Sequence, residues 1–154
     1  RAQKVIYIYS FSSLPSLLSE LRKFQRDLHN PPDLPREILI ENGGQHGIYQ
    51  CIDLLIEPGD ALRAFNPEVL NIPEDEDGLI PETLDTILGD RLKLGLKMPK
   101  VLYIIPNGNN PTGTVLTEER RREVYEMACR YDFLILEDDP YMFLNYSGVS
   151  ILFD

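Results

Sequence analysis

The sequence predicts an α/β fold built on a mainly parallel sheet, and three observations predict it. Short runs of β-branched and aromatic residues alternate with longer stretches whose apolar residues recur at helical spacing. Two of those runs, Val101-Leu102-Tyr103-Ile104-Ile105 and Phe133-Leu134-Ile135-Leu136, are continuously apolar, as strands covered on both faces by crossover helices must be. Finally, 154 residues that are 43% hydrophobic supply a core for one domain, or for a portion of a larger one, and exclude a disordered chain.

Each element has its own local reason. Lys4 to Tyr9 reads as a short strand. Leu14, Leu17, Leu18, Leu21, Phe24 and Leu28 then form the apolar stripe of a helix, with Ser13 as a candidate cap, Pro15 in its first turn and Asn30-Pro31-Pro32 barring continuation. Glu37 to Glu41 is a strand and Asn42-Gly43-Gly44 a turn. From about Gln45 a second stripe, Ile48, Cys51, Ile52, Leu55 and Ile56, runs to Pro58-Gly59-Asp60. Val69 to Ile72 reads as a short strand, Pro81 to Leu88 as a helix opened by proline, and Gly89 to Pro99 as a loop or frayed helix. After the strand from Val101, Thr117 caps a helix with Glu118 and Glu119 in its positive first turn and Val124, Met127, Ala128 and Tyr131 on its apolar face.

Charge narrows the function classes. Fifteen basic and 25 acidic residues leave a net charge of −10, which argues against a nucleic acid or an anionic membrane as partner; Arg120-Arg121-Arg122 is the basic run, and acidic residues flank it. No apolar run approaches the ~18 residues of a membrane span. Cys51 and Cys129 make neither a disulfide framework nor a metal site and read as two small buried hydrophobes of a reducing compartment, cytoplasmic with mitochondrial as the alternative.

Three polar clusters follow strands, where α/β sheets keep their chemistry. Asn42-Gly43-Gly44-Gln45 opens a helix, so its backbone amides suit a phosphate; it matches neither the dinucleotide fingerprint nor a P-loop, and a turn without ligand is an equal reading. Asn107-Gly108-Asn109-Asn110-Pro111-Thr112-Gly113 is more polar than a connection requires; an Asn there donates to an oxyanion or a phenolate, with a locally bonded turn as the competing reading. Asp138 ends an apolar strand as a candidate buried carboxylate suited to a protonated heterocyclic nitrogen, with Tyr141 three residues on; a solvated acidic loop is the competitor.

Asn109-Asn110-Pro111-Thr112-Gly113 followed by Glu137-Asp138-Asp139-Pro140-Tyr141 resembles the class I/II aminotransferases, the pyridoxal-phosphate enzymes of fold type I, and most closely the branch of aromatic and 2-aminoadipate/kynurenine aminotransferases. The resemblance takes in His29-Asn30-Pro31-Pro32, the Gly43-Gly44-Gln45 turn and Glu57-Pro58-Gly59-Asp60. It implies a three-layer α/β/α large cofactor-binding domain of the aspartate-aminotransferase type, with residues 1–154 a partial large domain and the small C-terminal domain absent. It also implies a homodimer that moves an amino group between an amino acid and a 2-oxo acid. By the same resemblance Asp138 pairs with the pyridine nitrogen of pyridoxal 5'-phosphate, Asn110 and Tyr141 bond its phenolic oxygen, and Gly44 and Gln45 contact its phosphate. The family often has Ser or Ala where this chain has Gly44.

The resemblance also implies a Schiff-base lysine downstream of the Asp…Tyr motif. The five lysines are Lys4, Lys23, Lys93, Lys97 and Lys100, and none follows it. A carboxylate-binding arginine and an aromatic residue stacking on the cofactor are also not found, with breaks expected after Asp60 and near Gly148 to Asp154. With an opening at Arg1 in mid-pattern, the chain reads as a fragment, inactive by itself. The readings left open are therefore an aminotransferase, a lyase on the same scaffold, and a non-catalytic aminotransferase-like module or truncated inactive copy.

Overall fold

The computed structural model describes residues 6–9, 15–31, 33–34, 37–55 and 68–144. Ser13, Ile56, the Pro58-Gly59-Asp60 stop and the Gly148 to Asp154 segment lie outside them. The chain divides after Gln50 into two compact units.

In the first unit, β1 (Ile6–Tyr9) pairs in parallel with β2 (Glu37–Ile40), Ile6 opposite Glu37, and α1 (Pro15–His29) is the crossover between them. The proline boundary of α1 falls where the sequence puts it. Its stripe, however, stays largely open: Leu17, Phe24 and Leu28 are exposed and Gln25 is the buried residue, because a two-stranded sheet is too narrow to cover a 15-residue helix. Helix α2 (Gly44–Leu55) begins in this unit, directly after the Asn42-Gly43 turn.

The second unit holds the larger core. Its first element departs from expectation: residues 69–72 form no strand, and the pairing comes just after them, in the antiparallel hairpin of β3 (Glu74–Asp75) and β4 (Gly78–Leu79). Asp77-Gly78 is the turn signal behind it. Gly78 takes φ +86°, and a Cβ there would stand 3.2 Å from Leu116 Cδ1, so both backbone and space require glycine. Helix α3 (Pro81–Lys93) also runs past its expected end at Leu88. Gly89 is carried inside it because Leu84, Leu88 and Arg91 on either side are buried. The helix stops at Gly95 (φ +64°), whose amide bonds Leu92 O while the Leu96 amide bonds Arg91 O, the paired closure of a glycine-terminated helix.

Strands β5 (Val101–Ile104) and β6 (Leu134–Glu137) are parallel, Val101 opposite Leu134, joined by α4 (Glu118–Tyr131). Thr117 caps α4 as expected, its hydroxyl accepting from the Arg120 amide. Val124, Met127 and Ala128 are buried with Leu79, Leu84, Leu88, Val101, Ile104, Leu116, Phe133 and Leu136. Tyr131 is half-buried and donates to Asp85 of α3 at 2.7 Å. Of the two cysteines, Cys51 is buried and burial raises its thiol pKa; Cys129 is exposed on the outer side of α4, so the expectation of two buried thiols holds for one. Among the described residues no helix is long and apolar enough to cross a membrane.

Arg120 ties α4 to the hairpin: it makes two bonds to the Asp75 carboxylate and one each to the carbonyls of Gly78 and Leu79. The Arg120 guanidinium holds the Asp75 carboxyl at about 2. A lowered carboxylate pKa contributes stability that is complete above the ordinary value, 3.8, and is lost as pH falls toward 2. In urea unfolding across that window, Arg120→Ala is expected to flatten the acid dependence of the midpoint.

Candidate active site

The parallel ladder of β5 and β6 continues one residue beyond the strands, with the Asp138 amide donating to Ile104 O at 2.9 Å. Two loops therefore leave the carboxyl ends of adjacent strands side by side, the position at which open α/β sheets bind ligands.

The first loop is a tight return. Leu116 N bonds Pro106 O at 2.8 Å, Asn109 N bonds Thr114 O at 2.9 Å, and Asn107 bridges Val115. The loop sorts its three asparagines. Asn107 is 1% exposed; its Nδ2 donates to Asp139 Oδ2 at 2.7 Å, and its Oδ1 accepts from Arg121 at 2.9 Å. Asn109 donates to both oxygens of Glu74, at 2.7 and 2.8 Å, and the Thr112 and Thr114 hydroxyls join it on the same carboxylate. The β3–β4 hairpin thus holds both flanks of the tip. Asn110, at the tip before a cis bond to Pro111, is exposed, and its amide bonds no described residue. Two asparagines build the loop, and the third is presented by it.

The second loop sorts its two aspartates in the same way. Asp139 turns inward, toward Asn107 and the field of Arg121; burial pushes its carboxyl above the usual carboxylate range, against the Asn107 donor and the Arg121 charge. Asp138 and Asp139 are both half-buried, so the carboxylate expected to be buried at Asp138 is only partly covered. The Asn107 donor and the Arg121 charge face Asp139. Asp138 Oδ2 accepts from the Tyr103 hydroxyl at 2.8 Å, and its Oδ1 meets no donor among the described residues. Partial burial, and then the Asp138 carboxylate, raise the Tyr103 pKa, so this hydroxyl stays protonated and donating. Tyr141 leads into a short 3₁₀ turn (Met142–Leu144), its ring against Gly108, where a Cβ would lie 3.6 Å from Tyr141 Cβ. Its hydroxyl bonds no described residue.

Beneath both loops lies Arg121, 1% exposed although it belongs to a run of three arginines. It donates to Leu116 O at 2.9 Å, Pro106 O at 3.3 Å and Asn107 Oδ1. Arg120 is taken by the hairpin and Arg122 by Glu118 at 2.6 Å. Sequence reasoning missed Tyr103, Asn107, Glu74 and Arg121 as parts of this site. The signal available for Tyr103 is a hydroxyl-bearing aromatic in an otherwise aliphatic strand. For Arg121 it is a charge at the helical spacing of the apolar face, three residues before Val124.

In the first unit, Gly44 and Gln45 are the opening residues of α2, whose first amides have no carbonyl one turn earlier to bond. His46 Nδ1 lies 2.8 Å from Glu41 Oε2, which occupies that carboxylate. Asn110, Asp138 and Tyr141 stand on the two loops of the second unit; Gly44 and Gln45 stand in the first.

No family model matches the chain. It is 42% identical over 160 residues to the mitochondrial kynurenine/alpha-aminoadipate aminotransferase of Mus musculus, covering 87% of this chain and 38% of that protein. It is 33% identical over 153 residues to an aromatic amino acid aminotransferase of Schizosaccharomyces pombe, covering 88% and 32%. Among solved structures, a Pyrococcus horikoshii kynurenine aminotransferase in complex with PMP superposes with a TM-score of 0.77 at 28% identity, over 89% of this chain and 37% of that one. An archaeal alanine:glyoxylate aminotransferase gives 0.75 at 27%, over 90% and 38%. The chain therefore spans less than two fifths of the length of these relatives. By sequence and by fold, the chain is similar to aminotransferases, among them kynurenine/alpha-aminoadipate and aromatic amino acid enzymes.

Proposed function

We propose that residues 1–154 are part of the large domain of an aminotransferase that moves an amino group between an aromatic or 2-aminoadipate-like amino acid and a 2-oxo acid, with pyridoxal 5'-phosphate as cofactor. The observation that carries this reading is the sorting of the two loops. Asn107 and Asn109, which build the first loop, are paired internally, while the Asn110 amide, Asp138 Oδ1 and the Tyr141 hydroxyl bond no described residue. That donor set fits the cofactor. Asp138 offers a carboxylate to a protonated ring nitrogen, and Asn110 and Tyr141 offer donors to a phenolic oxygen. Separately, in the first unit, the helix-start amides of Gly44 and Gln45 are of the kind that suits a phosphate. When bound, the cofactor supplies an electron sink for negative charge at the substrate Cα. The chain's own work is to hold it, keep its nitrogen protonated through Asp138 and fix its plane through Asn110 and Tyr141.

The names of the relatives supply the substrate class, and the mitochondrion as first compartment ahead of the cytoplasm. A homodimer is the proposed assembly, to be checked by sedimentation. The full-length protein, incubated with pyridoxal phosphate, an aromatic amino acid or 2-aminoadipate, and 2-oxoglutarate, is expected to take up the cofactor and form glutamate. Absence of both bound-cofactor absorbance and glutamate overturns the reading in favour of a non-catalytic module.

A further inference from the structure

We propose that Tyr103 is a positioning residue of the cofactor site: its hydroxyl holds one oxygen of Asp138 so that the other is presented to the ring nitrogen. This rests on the functional reading above. In a strand of aliphatic residues, Tyr103 alone carries a polar tip, and it stands opposite Leu136, two residues before Asp138 on the paired strand. The Asp138 backbone is already fixed by its amide bond to Ile104 O. The 2.8 Å bond from Tyr103 to Oδ2 then fixes the carboxylate's remaining rotation. A carboxylate held at one oxygen by a donor and free at the other has one direction in which to take a second proton donor, and here Oδ1 is that direction.

The donor is also permanent. Partial burial and the adjoining carboxylate raise the phenol's pKa, so no physiological pH removes the proton from this bond. The neighbouring carboxylate, Asp139, is held by Asn107 and lies in the field of Arg121. Tyr103 is therefore the local control on how Asp138 is aimed at the ring nitrogen. Without this bond the carboxylate is free to rotate, its contact with the ring-nitrogen proton loosens and the ring is left less electron-poor. Groups conjugated with the ring then keep their protons to higher pH.

The test is Tyr103→Phe in the full-length protein, which removes one oxygen and keeps the ring. Relative to the parent, pyridoxal phosphate affinity is expected to fall about tenfold. The visible absorbance of the bound cofactor is expected to titrate about half a pH unit higher or more. In an Asp138→Asn background the same change is expected to do nothing further, because the route runs through that carboxylate. Tyr103→Phe with unchanged affinity and titration, or with the same shift in the Asp138→Asn background, overturns the proposal. A parent protein that binds no pyridoxal phosphate overturns the functional reading instead, so the two failures are told apart. Circular dichroism of each variant separates a folding defect: a Tyr103→Phe protein that has lost native structure while Asp138→Asn retains it makes Tyr103 a packing residue and also overturns the proposal.

Discussion

The variant Arg121→Met is expected to lose about 3–5 kcal/mol of stability, the range for removing one partner from a buried charged network. Arg121 is 1% exposed and serves three acceptors, the carbonyls of Leu116 and Pro106 and the Asn107 side chain. Methionine keeps the aliphatic stem, so the loss is that of the guanidinium and not of packing volume. Two carbonyls then lose a buried donor, and Asn107 keeps its bond to Asp139 without the group that orients it. Against a typical domain stability of about 5–15 kcal/mol this is a large fraction. Urea unfolding followed by circular dichroism is expected to show a lower midpoint at unchanged slope. Arg121→Lys restores the charge without the fork, and its midpoint is expected between those of the parent and Arg121→Met.

The pH dependence carries a second signature. Burial raises the Asp139 carboxyl, and the Arg121 charge acts against that rise. An acid whose folded-state pKa is raised costs stability as pH climbs from its ordinary value, 3.8, through the raised one. Without Arg121 the rise is larger, so Arg121→Met is expected to recover part of its loss on acidification. This is the opposite sign from Asp75, whose lowered carboxyl loses stability on acidification. A variant equally destabilised at every pH would remove Asp139 from the network.

How much of this is legible in the sequence differs from residue to residue. The β5 and β6 strands, the Thr117 cap and the start of α2 at the Gly44 turn are legible because each is fixed by local chemistry: continuous apolar runs, a capping hydroxyl, a glycine turn. The extension of α3 beyond Gly89 is not, because the burial of Leu88 and Arg91 outweighs a glycine whose intrinsic cost is only about 1 kcal/mol. The site divides along the same line. The two polar loops are visible as clusters, and the family resemblance selects Asn110, Asp138 and Tyr141 from them. The reason Asn107, Asn109 and Asp139 are different residues from their neighbours lies in partners 14 to 35 positions away, Arg121, Glu74 and Asn107 in turn. Spacing along the chain carries no information about such pairs until the strands are aligned.

The adjacent aspartates give the largest expected effect on activity. In the full-length protein, Asp138→Asn is expected to lower kcat/KM by roughly 10²–10³-fold, the scale for removing one preorganised charged partner from a reacting system. Asparagine is nearly isosteric and preserves the backbone bond to Ile104 O, so the loop keeps its place. Under the proposed function, what is lost is the charge that would keep the ring nitrogen protonated, and with it the electron demand on the substrate Cα. Asp139→Asn is the control: its carboxyl faces Asn107 and the field of Arg121 within the protein, and the variant is expected to keep activity within about tenfold of the parent while shifting stability. The two substitutions remove the same charge one residue apart, so sequence position and composition predict the same result for both. Only the inward turn of Asp139 and the Tyr103-held, outward presentation of Asp138 separate them. If Asp139→Asn proves the inactive variant and Asp138→Asn the active one, the assignment of the pyridine partner to Asp138 is wrong.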